Sequence, residues 1–561
     1  MARCLFFCGV AAKQRRDSIA GRSTRRGQEP GLSSTRRPVA HARNETPIAV
    51  RTGPHGMIRS GLVQRSFAPP DHALAQRVSR SAAVSLIGVA LRAVITIGST
   101  AVLARLLSPA DFGLLTMASL VTEFAALFSS FGIGAILIQM RRSSRLYYDT
   151  AFWFAAALGL VLMAAVWLFS VFAGLFFDDP QVGSIVRVLS VLFLLEELTV
   201  VHSAVLNRLL KFKLEVAIQM GQLLLRVGAT IAFAWLGWGV WSLVLGSLAG
   251  SVFRTAALWI AVPFRPRVRF HWPLVAGRMR TGLSYLGGAV LGYLNNNLDY
   301  LVVGRSFGAA ELGYYQAAYS LSDELRNRLS LPLQRVLFPA YSLVQDDLGR
   351  FQRGVSTSLR LLSCIVFPLG AGMAATAPEI VAILFGPKWL AVIPLLQVLA
   401  INGALRAVFS MCGSIYFARD RADLAFLVTA ASLPLVVLAL WLGSRWGAQG
   451  VAWAMLAMVT LSLAASGISL RLIRMTLWDL LRAVGPAAIA SAAMAAGLSL
   501  RFAPIETIDS PLIRLGLMVV VGALVYVAVL CLVSRDSARL ILNTLKGLVM
   551  RRRKSQASLS P

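Results

Sequence analysis

The sequence predicts an all-α polytopic membrane protein, and three observations lead to that prediction. Of the 561 residues, 57% are hydrophobic and only 14% are charged, whereas a soluble chain would be about 25% charged. After residue 80, apolar stretches recur, and each is about 20 residues long, enough to cross a hydrocarbon core of roughly 30 Å. Lys and Arg are concentrated in alternate connecting loops, as the positive-inside rule requires.

Residues 1–80 differ from the rest of the chain because they contain no sustained hydrophobic period. They carry 15 Lys or Arg residues and four acidic residues. An Arg- and Ser-rich, acid-poor start resembles an organelle transit segment. No amphipathic helical pattern accompanies the arginines, so we favour a disordered cytoplasmic arm, or a true start at Met57.

Fourteen transmembrane helices are predicted after this arm. The predicted spans are 82–104, 112–136, 151–176, 182–205, 214–236, 239–262, 282–304, 312–342, 355–385, 391–417, 422–443, 447–470, 478–500 and 511–533. The connecting loops are no longer than about 20 residues, which leaves no room for a soluble catalytic domain. Tryptophans lie mostly at the ends of spans, where an interfacial belt explains them.

The charges of the loops predict the topology. With the N-terminus inside, the cytoplasmic loops carry 18 Lys or Arg residues, counting Arg482 in the first turns of span 478–500, and the outward loops carry five. A missed or additional span would invert every later loop and remove much of this bias, so both termini are predicted to be cytoplasmic. The net charge of +30 is therefore assigned to loops beside anionic lipid and not to nucleic-acid binding. Residues 534–561 are predicted to form an interfacial helix and a basic tail.

Sequence motifs for several kinds of chemistry are absent. The five Cys residues include no C-x-x-C pair, the five His residues form no H-E-x-x-H motif, and the sequence contains no P-loop. We therefore expect no metal, no cofactor and no ATP-driven transport. Any work on a solute would use simple facilitation or an ion gradient, with H⁺ or Na⁺ as the coupling ion.

An Arg, an acid and a Gly recur with the same spacing at an offset of 200 residues. They are Arg105, Asp111, Gly113, Arg305, Glu311 and Gly313. An offset of six spans preserves helix orientation, so it predicts two six-helix lobes, 81–262 and 282–470, related by a pseudo-two-fold axis along the membrane normal. Two extra C-terminal helices, 478–533, follow. The alternative is that the repeated motif is only favourable turn chemistry at a membrane surface.

Several segments resemble a known family, and the resemblance covers 81–535. Segments 105–138, 297–315, 333–345 and 384–389 (LFGPKW) are similar to polysaccharide-type flippases of the multidrug/oligosaccharidyl-lipid/polysaccharide superfamily, in particular its WzxC-like lipopolysaccharide and exopolysaccharide exporters. This resemblance implies that a polyprenyl-pyrophosphate-linked repeat unit crosses the cytoplasmic membrane between two lobes by alternating access. It also implies polysaccharide polymerase or export partners, besides membrane lipid.

Ionisable side chains inside spans are functional candidates, because lipid makes them costly unless they face a wet cavity or a partner. Arg92, Arg226, Arg254 and Arg406 lie within spans one, five, six and ten. A pyrophosphate needs cations to offset its desolvation, and Arg binds phosphate oxygens in a bidentate fork. We predict that these residues form a cationic cavity. Alternatively, each Arg pairs with a carboxylate to lock helices, or snorkels to an interface.

Span seven contains the densest polar run, from which we select Asn295, Asn296 and Asp299. Residues 295 and 299 share a helical face one turn apart, and residue 296 points elsewhere. Three amides and a carboxylate in hydrocarbon must face a cavity or a neighbouring helix. They are predicted to line the cavity and bind sugar hydroxyls, or else to tie span seven to its neighbours.

Three acids are assigned to coupling or gating: Glu123 in span two, and Asp323 and Glu324 in span eight. Glu123 and Asp323 are related by the offset of 200 and are expected to face each other across the pseudo-axis. They would bind the coupling ion or release the arginines between conformations. The alternative is that Glu123 and Asp323 form static ion pairs with Arg92 and Arg326.

These observations leave four classes of function. The first is a lipid-linked oligosaccharide flippase, which is not an enzyme. A drug exporter or a peptidoglycan-precursor flippase would keep the fold, although an exporter of organic cations needs an acidic cavity, which Arg92 and Arg226 oppose. An integral-membrane glycosyltransferase or polymerase would need a large outward loop or an acidic metal motif. A polytopic scaffold would not need buried charges.

Overall fold

The structure, a computed structural model, describes residues 91–92, 94–129, 137, 145–209, 211–500, 510–537 and 539. All of them belong to one unit of the chain, Ile87–Pro561. The predicted N-terminal arm lies outside the described residues, as does most of the predicted interfacial helix and basic tail.

All regular structure in these ranges is helical, and no strand occurs among the described residues. Nine stretches within them are long and apolar enough to cross a membrane. These two findings confirm the predicted all-α membrane class. The total of fourteen spans, the domain boundaries and the pseudo-two-fold relation of the lobes stay predictions.

Helices occupy the described part of the predicted N-terminal lobe. They are α1 Val94–Leu106, α2 Pro109–Ser129, α3 Arg145–Phe176, α4 Pro180–Arg208, α5 Phe212–Trp235 and α6 Val240–Ala261. The turn before α2 is fixed by a reciprocal cap, since Ser108 N donates to Asp111 Oδ2 at 2.8 Å and Asp111 N donates to Ser108 Oγ at 3.3 Å. The motif acid Asp111 therefore sets the geometry of the first hairpin.

The second half of the chain continues with longer and more irregular helices. They are α7 Pro273–Leu325, α8 Leu331–Leu343, α9 Leu348–Ala375, α10 Ala377–Leu384, α11 Val392–Ala418, α12 Ala422–Gly443, α13 Gly447–Arg471, α14 Leu477–Ser499 and α15 Pro511–Val533. Gly308 interrupts α7, because its φ of 81° and ψ of −175° are not helical. The predicted spans 282–304 and 312–342 lie on either side of that break.

Two predicted spans are not single regular helices. Span 312–342 contains a π-helix, Arg326–Ser330, between α7 and α8, and Pro332 lies in the first turn of α8. Span 355–385 is divided into α9 and α10, and Pro378 lies in the first turn of α10. A proline has no N–H to donate to the preceding turn, so it favours such interruptions.

Buried apolar side chains join the two halves of the chain at one end. A single cluster contains Met117 and Val186 from the first half together with Leu312 and Leu396 from the second. Away from this shared cluster, the first half has its own cluster around Phe152, and the second half has a separate cluster that runs along α9, α11 and α14. The halves therefore pack together at the end that carries the hairpin motifs, called the hairpin end below.

Candidate functional site

A polar face of α5 meets Arg92, which lies just before α1 in the first half. Arg92 Nη2 donates to Gln219 Oε1 at 2.6 Å, and Gln219 Nε2 donates to Glu215 Oε1 at 2.9 Å. Arg226 lies seven residues after Gln219, so it shares that face of the helix. Its guanidinium forms no hydrogen bond or ion pair with any described side chain. A Cβ at Gly250 of α6 would lie 3.0 Å from Arg226 Cβ, so the base of the side chain is packed between helices.

Arg254 has partners on a neighbouring helix. Its Nη2 lies 3.5 Å from Ser203 Oγ of α4, and its charge interacts with the carboxylate of Glu196 on the same helix. This arrangement ties α6 to α4, which is the alternative that the sequence left open for this residue. No carboxylate is bonded to Arg92, Arg226 or Arg254 among the described residues, and Arg254 differs from the other two because its charge interacts with that of Glu196.

A buried polar network forms in the second half, between both arms of α7 and α11. The guanidinium of Arg406 donates to the Tyr319 hydroxyl and, through Nη2, to Asn296 Oδ1 at 3.0 Å. The Tyr315 hydroxyl donates to Asp299 Oδ2 at 2.9 Å. Asp299 is 1% exposed, and its charge interacts with that of Arg406. The structure therefore brings three of the predicted site residues, Asn296, Asp299 and Arg406, into one network.

Three side-chain oxygens of this polar region have no hydrogen-bond donor among the described residues. Asn295 Oδ1, Asp299 Oδ1 and Asn402 Oδ1 are buried and accept no hydrogen bond from a described residue. Asn402 lies one turn before Arg406 on α11. Buried polar atoms are nearly always paired, so free acceptors at this position are suited to a proton, to water or to the hydroxyl groups of a bound sugar.

Glu123 lies on α2 beside Tyr293 of α7. The Tyr293 hydroxyl donates to the Leu120 carbonyl at 2.6 Å, and its ring centre is 5.7 Å from that of Phe124. The Glu123 carboxylate interacts with Tyr293 electrostatically. No ion pair joins it to Arg92 within the described ranges. The first half therefore presents an acid to α7 without a bonded cation.

Asp323 and Glu324 are held by the π-helix that follows them. Arg326 Nε lies 2.9 Å from Asp323 Oδ1, and Asn327 Nδ2 donates to Asp323 Oδ2 at 2.7 Å. Glu324 pairs with Arg328. For Asp323, the ion pair with Arg326 is the one considered as the alternative to a coupling role. Any coupling role would require these pairs to open.

The two hairpins pack against each other through their motif glycines. A Cβ at Gly113 would lie 1.7 Å from the Ala309 carbonyl oxygen, and a Cβ at Gly313 would lie 1.9 Å from the Pro109 carbonyl oxygen. Positions 109 and 309 are themselves separated by 200 residues, so each contact is the counterpart of the other, as in a two-fold interface. Backbone meets backbone at this point, which only glycine permits.

Motif arginines connect the halves beside these glycines. Arg105 Nη2 donates to the Ile383 carbonyl of α10 at 3.2 Å. Arg305 pairs with Asp178 in the turn between α3 and α4. Glu311 is half-buried on α7. Both arginines thus reach from one half of the chain to the other.

Trp389 seals the same end from the turn between α10 and α11. It is fully buried, and its Nε1 donates to the Ala104 carbonyl of α1 at 2.8 Å. Carbonyls in the last turn of a helix lack partners within the helix, so the indole satisfies one of them. The ring packs against Phe112 at 5.3 Å, Tyr314 at 6.0 Å and Phe385 at 5.2 Å between ring centres.

Replacing Trp389 is expected to open the hairpin end. Trp389→Ala removes a fully buried indole and its hydrogen bond, a change that costs about 3–5 kcal/mol in a protein core. A cysteine at Ala104, which is 0% exposed, should then react with a membrane-impermeant thiol reagent added on the hairpin side. Trp446→Ala provides the control, since Trp446 is 72% exposed in another turn at this end. Equal labelling in the two variants would contradict the role of Trp389.

Sequence reasoning did not select Gln219, Tyr315, Tyr319 or Trp389. A helical projection would have placed Gln219 on the face of Arg226, and Tyr315 and Tyr319 one turn apart on a single face. The indole of Trp389 has no comparable signal, because a tryptophan next to a span end is also typical of an interfacial belt. Its burial follows from docking of 384–389 on α1.

Comparison with known proteins agrees with this fold. The family model for polysaccharide biosynthesis proteins matches residues 102–394. The chain is 31% identical over 353 residues to the lipopolysaccharide biosynthesis protein WzxC of Escherichia coli (strain K12), an alignment that covers 62% of this chain and 72% of that protein.

Two solved structures are similar in fold. One is the lipid II flippase MurJ in an inward closed conformation, with a TM-score of 0.64 and 14% identity, covering 80% of this chain and 98% of that one. The other is a multidrug resistance MATE family transporter of the MOP superfamily in an inward-facing conformation, with a TM-score of 0.54 and 13% identity, covering 70% and 96%. The chain therefore belongs to the polysaccharide biosynthesis protein family.

Proposed function

We propose that this protein is a flippase for a polyprenyl-pyrophosphate-linked oligosaccharide, a repeat unit of lipopolysaccharide or exopolysaccharide. It would act in the cytoplasmic membrane, with both termini cytoplasmic, beside polysaccharide polymerase or export partners. The observation that carries the proposal is the pair Arg92 and Arg226, because neither has a carboxylate bonded to it among the described residues. Guanidinium groups of this kind suit the phosphate oxygens of a headgroup. Family membership points to the same class of cargo.

Alternating access supplies the mechanism of the proposal. The halves share a buried apolar cluster at the hairpin end, and each half has a further cluster of its own. Cargo would thus enter from the basic, cytoplasmic side, with the sugar-pyrophosphate between the halves and the polyprenyl chain in lipid. Opening of the hairpin end and closing of the cytoplasmic end would then release the headgroup outside.

Coupling by H⁺ or Na⁺ is assigned to acids that lie between the halves or beside them. Glu123 is the acid that faces α7 without a bonded cation among the described residues. Asp323 and Glu324 would act as gates, because their ion pairs with the π-helix must break before that segment changes shape. Asn295, Asn296 and Asp299 would offer hydrogen bonds to sugar hydroxyls.

The test is leaflet-resolved measurement of the lipid-linked oligosaccharide in cells that lack this protein. Wild type is expected to clear the intermediate from the inner leaflet, and Arg92→Ala/Arg226→Ala is expected to leave it there. Loss of one charged hydrogen-bonding group typically lowers affinity about tenfold or more, so the double variant should be nearly inactive. Arg445→Ala is the matched control, because this arginine stacks on Trp441 at 4.4 Å in an outward turn.

Two results would count against the proposal in different ways. Full rescue by the double variant would keep a flippase but reject the cationic site. Disappearance of the lipid-linked intermediate itself in cells lacking the protein, instead of its accumulation on the inner leaflet, would indicate an enzyme that makes it.

A further inference from the structure

Arg187 occupies a groove on the outside of the first half, between α3 and α4. The groove has a volume of about 640 Å³. Its walls are mainly apolar and include Met163, Leu168, Val188 and Val191. Leu168 is 68% exposed and Trp167, which also lines the groove, is 54% exposed. In a membrane-spanning protein, such a surface faces lipid chains.

The guanidinium of Arg187 has one hydrogen-bond acceptor and one aromatic neighbour among the described residues. Its Nε donates to Ser170 Oγ at 2.9 Å, and its carbon lies 5.9 Å from the centre of the Trp167 ring. Ser170 in turn donates to the Trp167 carbonyl at 2.6 Å. A guanidinium has five N–H donors, so those on its two terminal nitrogens have no hydrogen-bond acceptor among the described residues.

The charge of Arg187 is not neutralised by the described part of the protein. Two acids lie in the nearby turn at the hairpin end, and both are engaged elsewhere. Asp178 pairs with Arg305, and Asp179 caps α4 by accepting from Gln181 N at 2.9 Å. Arg187 forms no ion pair with any described carboxylate. A charged side chain in contact with lipid is costly without a partner, so an anion from outside the chain is required.

The depth of Arg187 identifies where that anion must come from. It lies seven residues after the first residue of α4, a rise of about 10 Å from the hairpin end of the helix. A long arginine side chain extends toward the interface from such a depth. Trp167, beside it, is the residue type that prefers the headgroup level. The phosphate of a lipid in the leaflet at the hairpin end lies within reach.

The groove is separate from the cargo path. Arg187 and Glu196 are nine residues apart on α4, which places them on opposite faces at about 100° per residue. Glu196 interacts with Arg254 of α6, so Arg187 lies on the face of α4 that is turned away from α6. An occupant of the groove would therefore be a resident lipid and not the transported molecule.

We propose that this groove is a binding site for a membrane phospholipid, with its phosphate on Arg187 and an acyl chain along the apolar wall. The guanidinium would bind two phosphate oxygens in a fork, while Ser170 and the Trp167 ring hold it in place. By the predicted topology, this is an outer-leaflet lipid. The site goes beyond the proposed flippase function and does not depend on it.

Site-specific photo-crosslinking tests this proposal in native membranes. A benzoylphenylalanine is placed at Leu168, in the groove, or at Leu524, which is 67% exposed on α15 and serves as the control. Mass spectrometry of the adduct at Leu168 is expected to show a phospholipid, and Arg187→Gln should reduce this adduct about five- to tenfold, as expected for one charged hydrogen-bonding group. Arg187→Lys should restore part of it, because the charge remains without the fork.

The outcomes separate the proposal from simpler explanations. An unchanged yield at Leu524 in Arg187→Gln shows that the variant folds, so a selective loss at Leu168 supports the site. Equal yields at Leu168 with and without Arg187 would mean bulk lipid only and would overturn it. A polyprenyl-phosphate adduct at Leu168 would also overturn it, by assigning the groove to the cargo. Since the readout is an adduct and not transport, failure of the flippase proposal would leave this result unaffected.

Discussion

Gly113→Leu and Gly313→Leu are each expected to abolish transport. Any side chain at position 113 begins with a Cβ 1.7 Å from the Ala309 carbonyl oxygen, and one at position 313 begins 1.9 Å from the Pro109 carbonyl oxygen. The obstacle in both cases is backbone, so no change of rotamer relieves the overlap. Overpacking of a core costs about 1–3 kcal/mol or more, and here the hairpins can avoid that cost only by separating. The closed hairpin end should then be lost.

Spin labels at Leu106 and Ser306 provide the measurement, because these exposed positions occupy equivalent places in the two hairpins. Their separation should increase in either glycine variant, and leaflet-resolved flipping should fall to background. Gly98→Leu and Gly228→Leu are matched controls, since a Cβ at either position meets nothing within 4 Å. A Gly313→Leu protein with a wild-type label distance and wild-type flipping would refute the importance of this contact.

The repeated hairpin motif shows which features of the fold could be predicted from the sequence. The offset of 200 between the motif glycines could be read directly, and it predicted a relation between the halves. It could not predict that Gly113 and Gly313 lie against the partner hairpin's backbone, because a repeat specifies similarity and not contact. Likewise, Trp389 has the sequence context of an interfacial residue, and its burial depends on how the turn before α11 docks on α1.

The charged residues show a similar division. Arg92, Arg226 and Arg406 could be selected because lipid penalises charge wherever it lies. Which of them has a partner depends on helix rotation and on crossings that one sequence does not encode. The structure connects Arg406 to Asn296 and Tyr319, whereas Arg226 is left without a bonded partner among the described residues. Arg187 was not selected as a candidate site residue, because an arginine near the end of a predicted span can extend its side chain to the membrane interface.

Arg406→Met is expected to destabilise the protein as well as inactivate it. Asp299 is 1% exposed and keeps its hydrogen bond from the Tyr315 hydroxyl. It loses the favourable interaction with the positive charge of Arg406. The substitution also removes the hydrogen bonds that Arg406 donates to Tyr319 and Asn296, and leaving a buried polar group unpaired typically costs about 1–3 kcal/mol. Thermal unfolding in detergent should therefore show a clear decrease in the midpoint temperature for Arg406→Met. The decrease should be smaller for Arg406→Lys, because lysine keeps the positive charge but lacks the guanidinium that donates to both Tyr319 and Asn296.

A double-mutant cycle separates the structural and functional parts of this network. Asp299→Asn removes the orphaned charge, so Arg406→Met/Asp299→Asn should recover most of the stability that Arg406→Met loses. Flipping should stay absent in the double variant if the network binds cargo or a proton, because both charges are gone. Recovery of flipping together with stability would show that the pair serves only to hold α7 against α11. No recovery of stability would mean that Asp299 and Arg406 are not energetically coupled, and that the cost of Arg406→Met comes from the hydrogen bonds to Tyr319 and Asn296 alone.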